Sequence, residues 1–192
     1  MGSINYRLAF DLNPMGLVLS DNRTIVDCNQ RLCEMFGAAP EQLVGQSFQV
    51  LYPSADEFER TGARIAPIMN ARGNYADDRI MKRLDGRFKG ETFWCHVTGR
   101  AFDRQQPLGP GIWTFEDLSA RRPVTAALTP REREVAALLT DGQTSKEIGR
   151  SLGLSHRTVE IYRARLMKAY KASTTADLVH KLVAGSQSLP KE

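Results

Sequence analysis

Residues 145–165 read Ser145-Lys146-Glu147-Ile148-Gly149-Arg150-Ser151-Leu152-Gly153-Leu154-Ser155-His156-Arg157-Thr158-Val159-Glu160-Ile161-Tyr162-Arg163-Ala164-Arg165. Two glycines, a serine and a valine give this stretch its meaning. A small residue at Gly149 lets one helix approach the next, and Gly153 can take the left-handed backbone that turns a chain sharply. Ser155 is a natural N-cap for a second helix, and Val159 points back into the joint. The spacing predicts a helix-turn-helix whose second helix keeps one face free for a DNA major groove.

Working outward, the same region carries further helix signals. Thr129-Pro130-Arg131-Glu132 offers a threonine N-cap, proline at the first helical position and glutamate at the third. Val135, Leu138 and Leu139 then recur at helical spacing up to Gly142. Thr144 or Ser145 starts the next helix, which ends at Gly153. The recognition helix is expected from Ser155 to about Lys171. A last helix, from about Thr175 to Val183, contributes Leu178, Leu182 and Val183.

Charge supports a polyanionic partner for this end. Residues 119–192 hold 13 Lys+Arg against 7 Asp+Glu, a balance of +6, whereas residues 1–118 hold 13 against 15, a balance of −2. Positive charge gathered around a helix-turn-helix is the footprint of phosphate binding. On the recognition helix, Arg157, Glu160, Ile161, Ala164 and Lys168 share one face, and Val159, Leu166 and Tyr170 form the opposite apolar stripe. Glu160 and Ile161 are expected at base edges, with Ala164 allowing close approach. A glutamate can accept from a cytosine amino group, and an isoleucine can touch a thymine methyl. Arg157, Arg163, Arg165 and Lys168 are expected to hold phosphates. Thr144, Ser145 and Lys146 would do so at the preceding helix start, and Thr158 is placed near the backbone.

The N-terminal part follows another rhythm. Strand signals at Gly16–Ser20 and Thr24–Cys28 flank an Asp21-Asn22 turn. Helical patterns follow at Gln30–Phe36, Pro40–Val44 and Ser54–Ala71. Further strands fit Tyr75–Leu84, Phe88–Phe102 and Gly111–Asp117, with Asp85-Gly86 as a hairpin turn. This order predicts an α+β domain, an antiparallel sheet with helices over one face and a cavity between the layers. The chain is therefore divided into 1–118, a linker at 119–128 around Pro123, and an all-α four-helix unit at 129–192.

Two family resemblances rest on these residues. Residues 128–183 resemble the LuxR-type (GerE/FixJ-like) DNA-binding domain. The matching positions are Leu128 through Val135, Gly142, Lys146-Glu147-Ile148, Leu152, Ser155, Thr158-Val159-Glu160, Arg163, Met167 and Leu178-Val179. Tyr162 departs from the family's usual histidine, and Ala169-Tyr170 from its Lys-Leu. Residues from about 6 to 118 are similar to a PAS sensor domain. That likeness rests on Asn13–Gly16, Val26-Asp27-Cys28-Asn29, Pro40–Gln46, the Leu84-Asp85-Gly86 turn and the closing Glu116-Asp117-Leu118-Ser119. Together the resemblances imply a one-component bacterial transcriptional regulator controlled by a small-molecule or partner signal. The implied partners are double-stranded DNA, a second copy of the chain and RNA polymerase. Two alternatives stay open: a constitutive regulator whose PAS-like domain only dimerises, and a haem- or redox-sensing one.

Cofactor signals are weak. The stretch matching the flavin-binding helix of light-sensing relatives, Gln46–Tyr52, has no cysteine, and Ser54–Ala71 has no histidine for haem. No cofactor is evident, and a small organic effector in the cavity is the expected signal. Along Phe93–Ala101, alternation puts Phe93, Cys95, Val97 and Ala101 on the core face. Trp94, His96, Thr98 and Arg100 then point toward a partner subunit or the linker. Arg79 and Arg83 are expected at the surface. Cys28, Cys33 and Cys95 read as buried small hydrophobes, and most of the methionines and aromatics as core, with Trp113 a pocket candidate. No nucleophile–base, metal-ligand or phosphate-loop spacing points to an enzyme. The absence of a long apolar run or signal-like N-terminus, with three cysteines, leads to an expectation of a cytoplasmic protein away from membranes.

Overall fold

A computed structural model describes residues 5–85 and 89–184. It begins with helix α1 (Tyr6–Asp11) and strands β1 (Gly16–Asp21) and β2 (Thr24–Cys28). Helices α2 (Gln30–Phe36) and α3 (Pro40–Leu43) follow, then a 3-10 turn (Phe48–Leu51) and the long α4 (Ala55–Arg72). Strands β3 (Asn74–Lys82), β4 (Thr92–Ala101) and β5 (Gly111–Asp117) complete a sheet of order β2-β1-β5-β4-β3, every neighbour antiparallel. Four helices close the chain: α5 (Pro130–Thr140), α6 (Ser145–Leu152), α7 (His156–Ala169) and α8 (Thr175–Ala184). The architecture is α+β followed by an all-helical unit. The Asp85-Gly86 turn and the start of the expected Phe88–Phe102 strand reach outside the described residues.

Local chemistry explains the elements. Asn22 and Arg23 both take positive φ, 47° and 62°, in the two-residue turn between β1 and β2, the backbone twist such hairpins need. Asn suits that region; Arg does not, and Arg23 is held by contacts. Its guanidinium lies 3.5 Å from the Phe58 ring centroid and donates to the Phe58 carbonyl at 2.8 Å. Asn29 caps α2 and is fully buried. Its oxygen accepts from Leu17 and Leu32 N–H groups, while its amide donates to the Phe10 and Met15 carbonyls. The bond to Phe10 ties α1, which is too short to show a hydrophobic period, to the end of β2.

The core between helices and sheet centres on Phe36, which meets Phe93 and Phe115 edge-on at 5.4 and 5.9 Å. Val18, Leu32, Met35 and Met81 fill the space around it. A second apolar cluster runs from Ile80 and Trp94, on the other sheet face, into Val135, Leu138, Ile148 and Leu166 of the helical unit.

That cluster corrects one expectation in part. Trp94 turns to the linker, as one of its two alternatives has it, with Arg122 stacked on its ring, but this chain's own helical unit rather than a partner subunit buries it fully. Ion pairs frame the contact: Arg133 with Glu57, Arg60 with Glu134 at 2.8 Å, and Arg122 with Asp78 at 2.8 Å. Arg79 and Arg83 are also corrected. Arg79 is 7% exposed and Arg83 bonds Asp117 at 2.8 Å beneath the sheet's helices. Alternation puts Asp77 and Arg79 on one strand face, so the carboxylate makes burial of the guanidinium tolerable. Val183, expected in the helical core, is 49% exposed; Leu178 and Leu182 alone turn inward.

Candidate nucleic-acid interface and ligand cavity

The turn between α6 and α7 is built by its caps. Thr144 and Glu147 form a reciprocal capping box at the start of α6. The Thr144 backbone N–H holds the Glu147 carboxyl below the usual carboxylate range. Gly153 ends α6 at φ +64°. A Cβ at Gly149 would sit 2.8 Å from the Leu154 carbonyl oxygen, so only glycine lets the turn fold back this closely. Ser155 then accepts from the Thr158 N–H at 3.0 Å and opens α7. Val159 and Leu166 are fully buried and Tyr170 is 5% exposed, which fixes the opposite side of α7 outward.

On that outward side Arg157, Ile161, Ala164, Arg165 and Lys168 are exposed, as are Thr144 and Lys146 at the start of α6. Thr158, Glu160 and Arg163 are half-buried. The Thr158 hydroxyl pairs with that of Ser155 at 2.8 Å. Arg163 donates to Glu160 at 3.1 Å and to the Ser145 hydroxyl at 3.1 Å. Ser145 is 6% exposed, so what it offers outward is its place in the helix N-terminus rather than its hydroxyl. Glu160 also lies 3.6 Å from His156 Nε2. Thr144, Ser145, Lys146, His156, Glu160 and Arg163 thus converge on one shallow cleft. The tie between Ser145 and Arg163 is not legible in the sequence, since it crosses from α6 to α7, whereas Glu160 and Arg163 are an i,i+3 pair within α7.

A cavity of about 40 Å³, open to the centre of a water molecule, lies between the sheet and α4. Phe48, Phe58, Met81, Trp113 and Phe115 supply apolar walls. Trp113 reaches the cavity over Gly99, where a Cβ would stand 2.3 Å from the indole. Its Nε1 donates to the Ser20 hydroxyl at 3.0 Å. Arg23, Arg79 and Tyr52 are its polar lining residues, and the Tyr52 hydroxyl accepts from Arg79 Nη1 at 2.5 Å. Despite burial, Asp77 holds the Arg79 guanidinium firmly charged. Burial, with the Asp77 charge, pushes the Tyr75 hydroxyl above its ordinary range. Arg79 and Tyr52 also line a crevice on the far side, against Arg133, Glu134 and Ala137 of α5.

His96 lies outside this cavity, its Nδ1 2.6 Å from Asp78. Cys28 and Cys33 bring their sulfurs to 3.8 Å, a pairing that five-residue spacing does not advertise. Burial pushes the Cys28 thiol up to about 12, which leaves it protonated and a poor nucleophile at neutral pH. Cys95 is fully buried. Among the described residues, no three His, Cys, Asp or Glu side chains gather as around a metal ion, and no helix is long and apolar enough to cross a membrane.

Comparison with known proteins joins these two sites. The family described as bacterial regulatory proteins, luxR family, matches residues 126–182, and the PAS domain family matches residues 14–120. A PAS domain solved in complex with ethanol, from a LuxR-family transcriptional regulator of Burkholderia thailandensis, is 62% identical. It covers 60% of this chain and 99% of its own, with a TM-score of 0.57. VqmA bound to DPO is 25% identical, covering 91% of this chain and 84% of its own, with a TM-score of 0.53. The sensor protein TdiS of Thauera aromatica is 31% identical over 117 residues, 61% of this chain and 21% of TdiS. The chain spans only about a fifth to just over a third of the first curated relatives it matches. By sequence and by fold, the chain belongs to the LuxR family of bacterial regulatory proteins, with a PAS domain preceding the helix-turn-helix.

Proposed function

We propose that this chain is a one-component transcriptional regulator that binds DNA through α7 and senses a small organic molecule in the cavity. One observation carries the reading: Arg157, Ile161, Ala164, Arg165 and Lys168 stand exposed on one side of α7 while Val159 and Leu166 anchor the other. In this reading residues 1–118 sense, 119–128 connect and 129–192 bind DNA. Ile161 and Glu160 read base edges, with Ala164 giving close approach. Arg157, Arg165, Lys168, Thr144 and Lys146 hold phosphates, and Thr158 lies near the backbone. Arg163 and Ser145 act partly through each other, bracing α7 against the start of α6.

The sensing half is supported by the ethanol bound to the Burkholderia PAS domain and by VqmA bound to DPO. We assign no catalytic role. A homodimer on a pseudo-palindromic site fits the outward apolar face of α8, where Ala176, Val179 and Val183 line one shallow depression. RNA polymerase is the further partner, and the cytoplasm the compartment, where the three free thiols persist.

Selection of DNA from a random pool by the full chain, followed by anisotropy titration, tests this reading. The expected result is an enriched two-fold site bound by two copies, with affinity falling steeply with salt. A pool that never converges on a sequence overturns it.

A further inference from the structure

The cavity's single buried cation says which ligand it suits, on the reading that this cavity is the sensor site. A guanidinium presents five N–H donors in one plane. Arg79 gives Nε to Asp77 at 2.7 Å and Nη1 to the Tyr52 hydroxyl. Its Nη2 lies in ion contact with Asp77 but makes no hydrogen bond among the described residues, and it is buried. Asp77 has little more to offer. It also accepts from Arg64 at 3.0 Å and from the Tyr75 hydroxyl at 2.9 Å. Arg64, Asp77 and Arg79 together carry one net positive charge beside the apolar chamber, while Arg23, the other cation that lines it, is paired with Glu59 at 3.2 Å.

A buried, incompletely bonded donor on a cation is costly, and a charged acceptor relieves both deficits. Space limits the rest. The free volume holds about three waters, or a molecule of roughly three to five heavy atoms. We propose that the cavity takes a short-chain carboxylate. Its oxygens are received by the free edge of Arg79, and its hydrocarbon end lies against Phe48, Trp113 and Phe115. Because Arg79 and Tyr52 also wall the crevice beside Arg133 and Glu134, the ligand's charged end sits one side chain from the DNA-binding unit.

Isothermal titration of the full chain with propionate and with 1-propanol tests the assignment. Propionate is expected to bind at least about tenfold more tightly than the alcohol. Arg79→Met abolishes propionate binding and spares the alcohol. Should that variant fail to fold, Arg79→Lys keeps the charge and loses the fork, so propionate's advantage falls by about tenfold. Equal affinity for the two probes, no propionate binding at tens of millimolar (about the weakest useful affinity for so small a ligand), or binding unchanged in the folded variants overturns the proposal. These titrations contain no DNA. Propionate binding through Arg79 without any change in DNA affinity therefore supports the carboxylate site and sinks the sensor reading instead.

Discussion

The guanidinium of Arg122 stands over the indole of Trp94, its Cζ 3.2 Å from the ring centroid. Arg122 lies in the connection between the two units, yet it is only 3% exposed. It pairs with Asp78 on the sheet, donates to the Thr140 hydroxyl on α5 at 2.9 Å, and reaches the Leu182 carbonyl on α8. Burial pulls its pKa down to about 10, which still leaves it charged at neutral pH. A connection riveted in this way fixes the helices to the sheet at three points, which a free tether does not.

Arg122→Met keeps the apolar stem and deletes the rivet. It loses a desolvated cation–π contact and strips Asp78 of its arginine partner, leaving the His96 bond. The expected cost is about 2 kcal/mol. Urea unfolding followed by tryptophan fluorescence in a Trp113→Phe background, where Trp94 alone reports, reads it directly. An unchanged midpoint, with the indole spectrum unaltered, means that the stacked pair contributes nothing to the docking of the two units.

Asp141, at the end of α5, gives the docked arrangement a pH dependence. Asp141 is exposed at its outer edge; partial burial of its carboxyl first, then the Asp77 and Asp78 carboxylates across the contact, push it up to about 6 from 3.8. A carboxyl raised in the folded state stabilises that state fully below its unfolded pKa and loses the contribution as pH climbs to its folded pKa. Docking therefore weakens between about pH 4 and 6 and stays weaker above. Asp141→Asn removes the charge, flattens that slope and stabilises the protein at pH 7 by about 1 kcal/mol after solvent screening. Melting curves at several pH values decide the matter; a parallel slope in the variant refutes the assignment.

Much of the helical unit was legible because its signals are local. Thr129, Thr144 and Ser155 each cap a helix by bonding to an N–H three residues on, and Gly153 takes the backbone its position demands. The strands were visible for a similar reason, through alternation. What escaped depends on distance in the sequence. Arg79 looked like a surface cation because its charge was weighed without Asp77 two positions earlier and Tyr52 far upstream. Trp94 reads as facing a partner subunit or the linker, and Arg122 of the linker answers one alternative; the residues of the helical unit that also bury it, Val135 and Leu138 among them, carry no local signal of that contact. No periodicity reports a contact between two separately folded layers.

Substitutions on α7 separate the two kinds of DNA contact. Arg165 is exposed and lies 5.7 Å from the Tyr162 ring centroid, so Arg165→Ala removes charge from a free surface. Binding should weaken to a similar degree on every sequence, and the salt slope should fall by about 0.9 for one phosphate contact. Ile161→Ala, by contrast, should change base preference at one position by about 1 kcal/mol while leaving the slope alone. Parallel titrations of both variants on matched and mismatched duplexes check this. Equal slopes for Arg165→Ala and the parent chain rule out the docking pose.

The Glu57–Arg133 pair offers a direct measure of the energy between the units. Its side chains are 7% and 13% exposed, and Arg133 bonds both carboxylate oxygens. The neighbouring Arg60–Glu134 bond runs with opposite polarity, from α4 to α5. Crossed polarity makes the arrangement selective, because sliding one helix along the other would set like charges together. Glu57→Gln alone strands a half-buried guanidinium and should cost about 2 kcal/mol. Arg133→Met on its own should cost less, because Glu57 keeps the Ser54 hydroxyl at 2.9 Å. A double-mutant cycle between them is expected to return a coupling of about 1–3 kcal/mol. Strictly additive losses would show that the two residues stabilise their own units separately and that the ion pair does not hold the sensor against the DNA-binding helices.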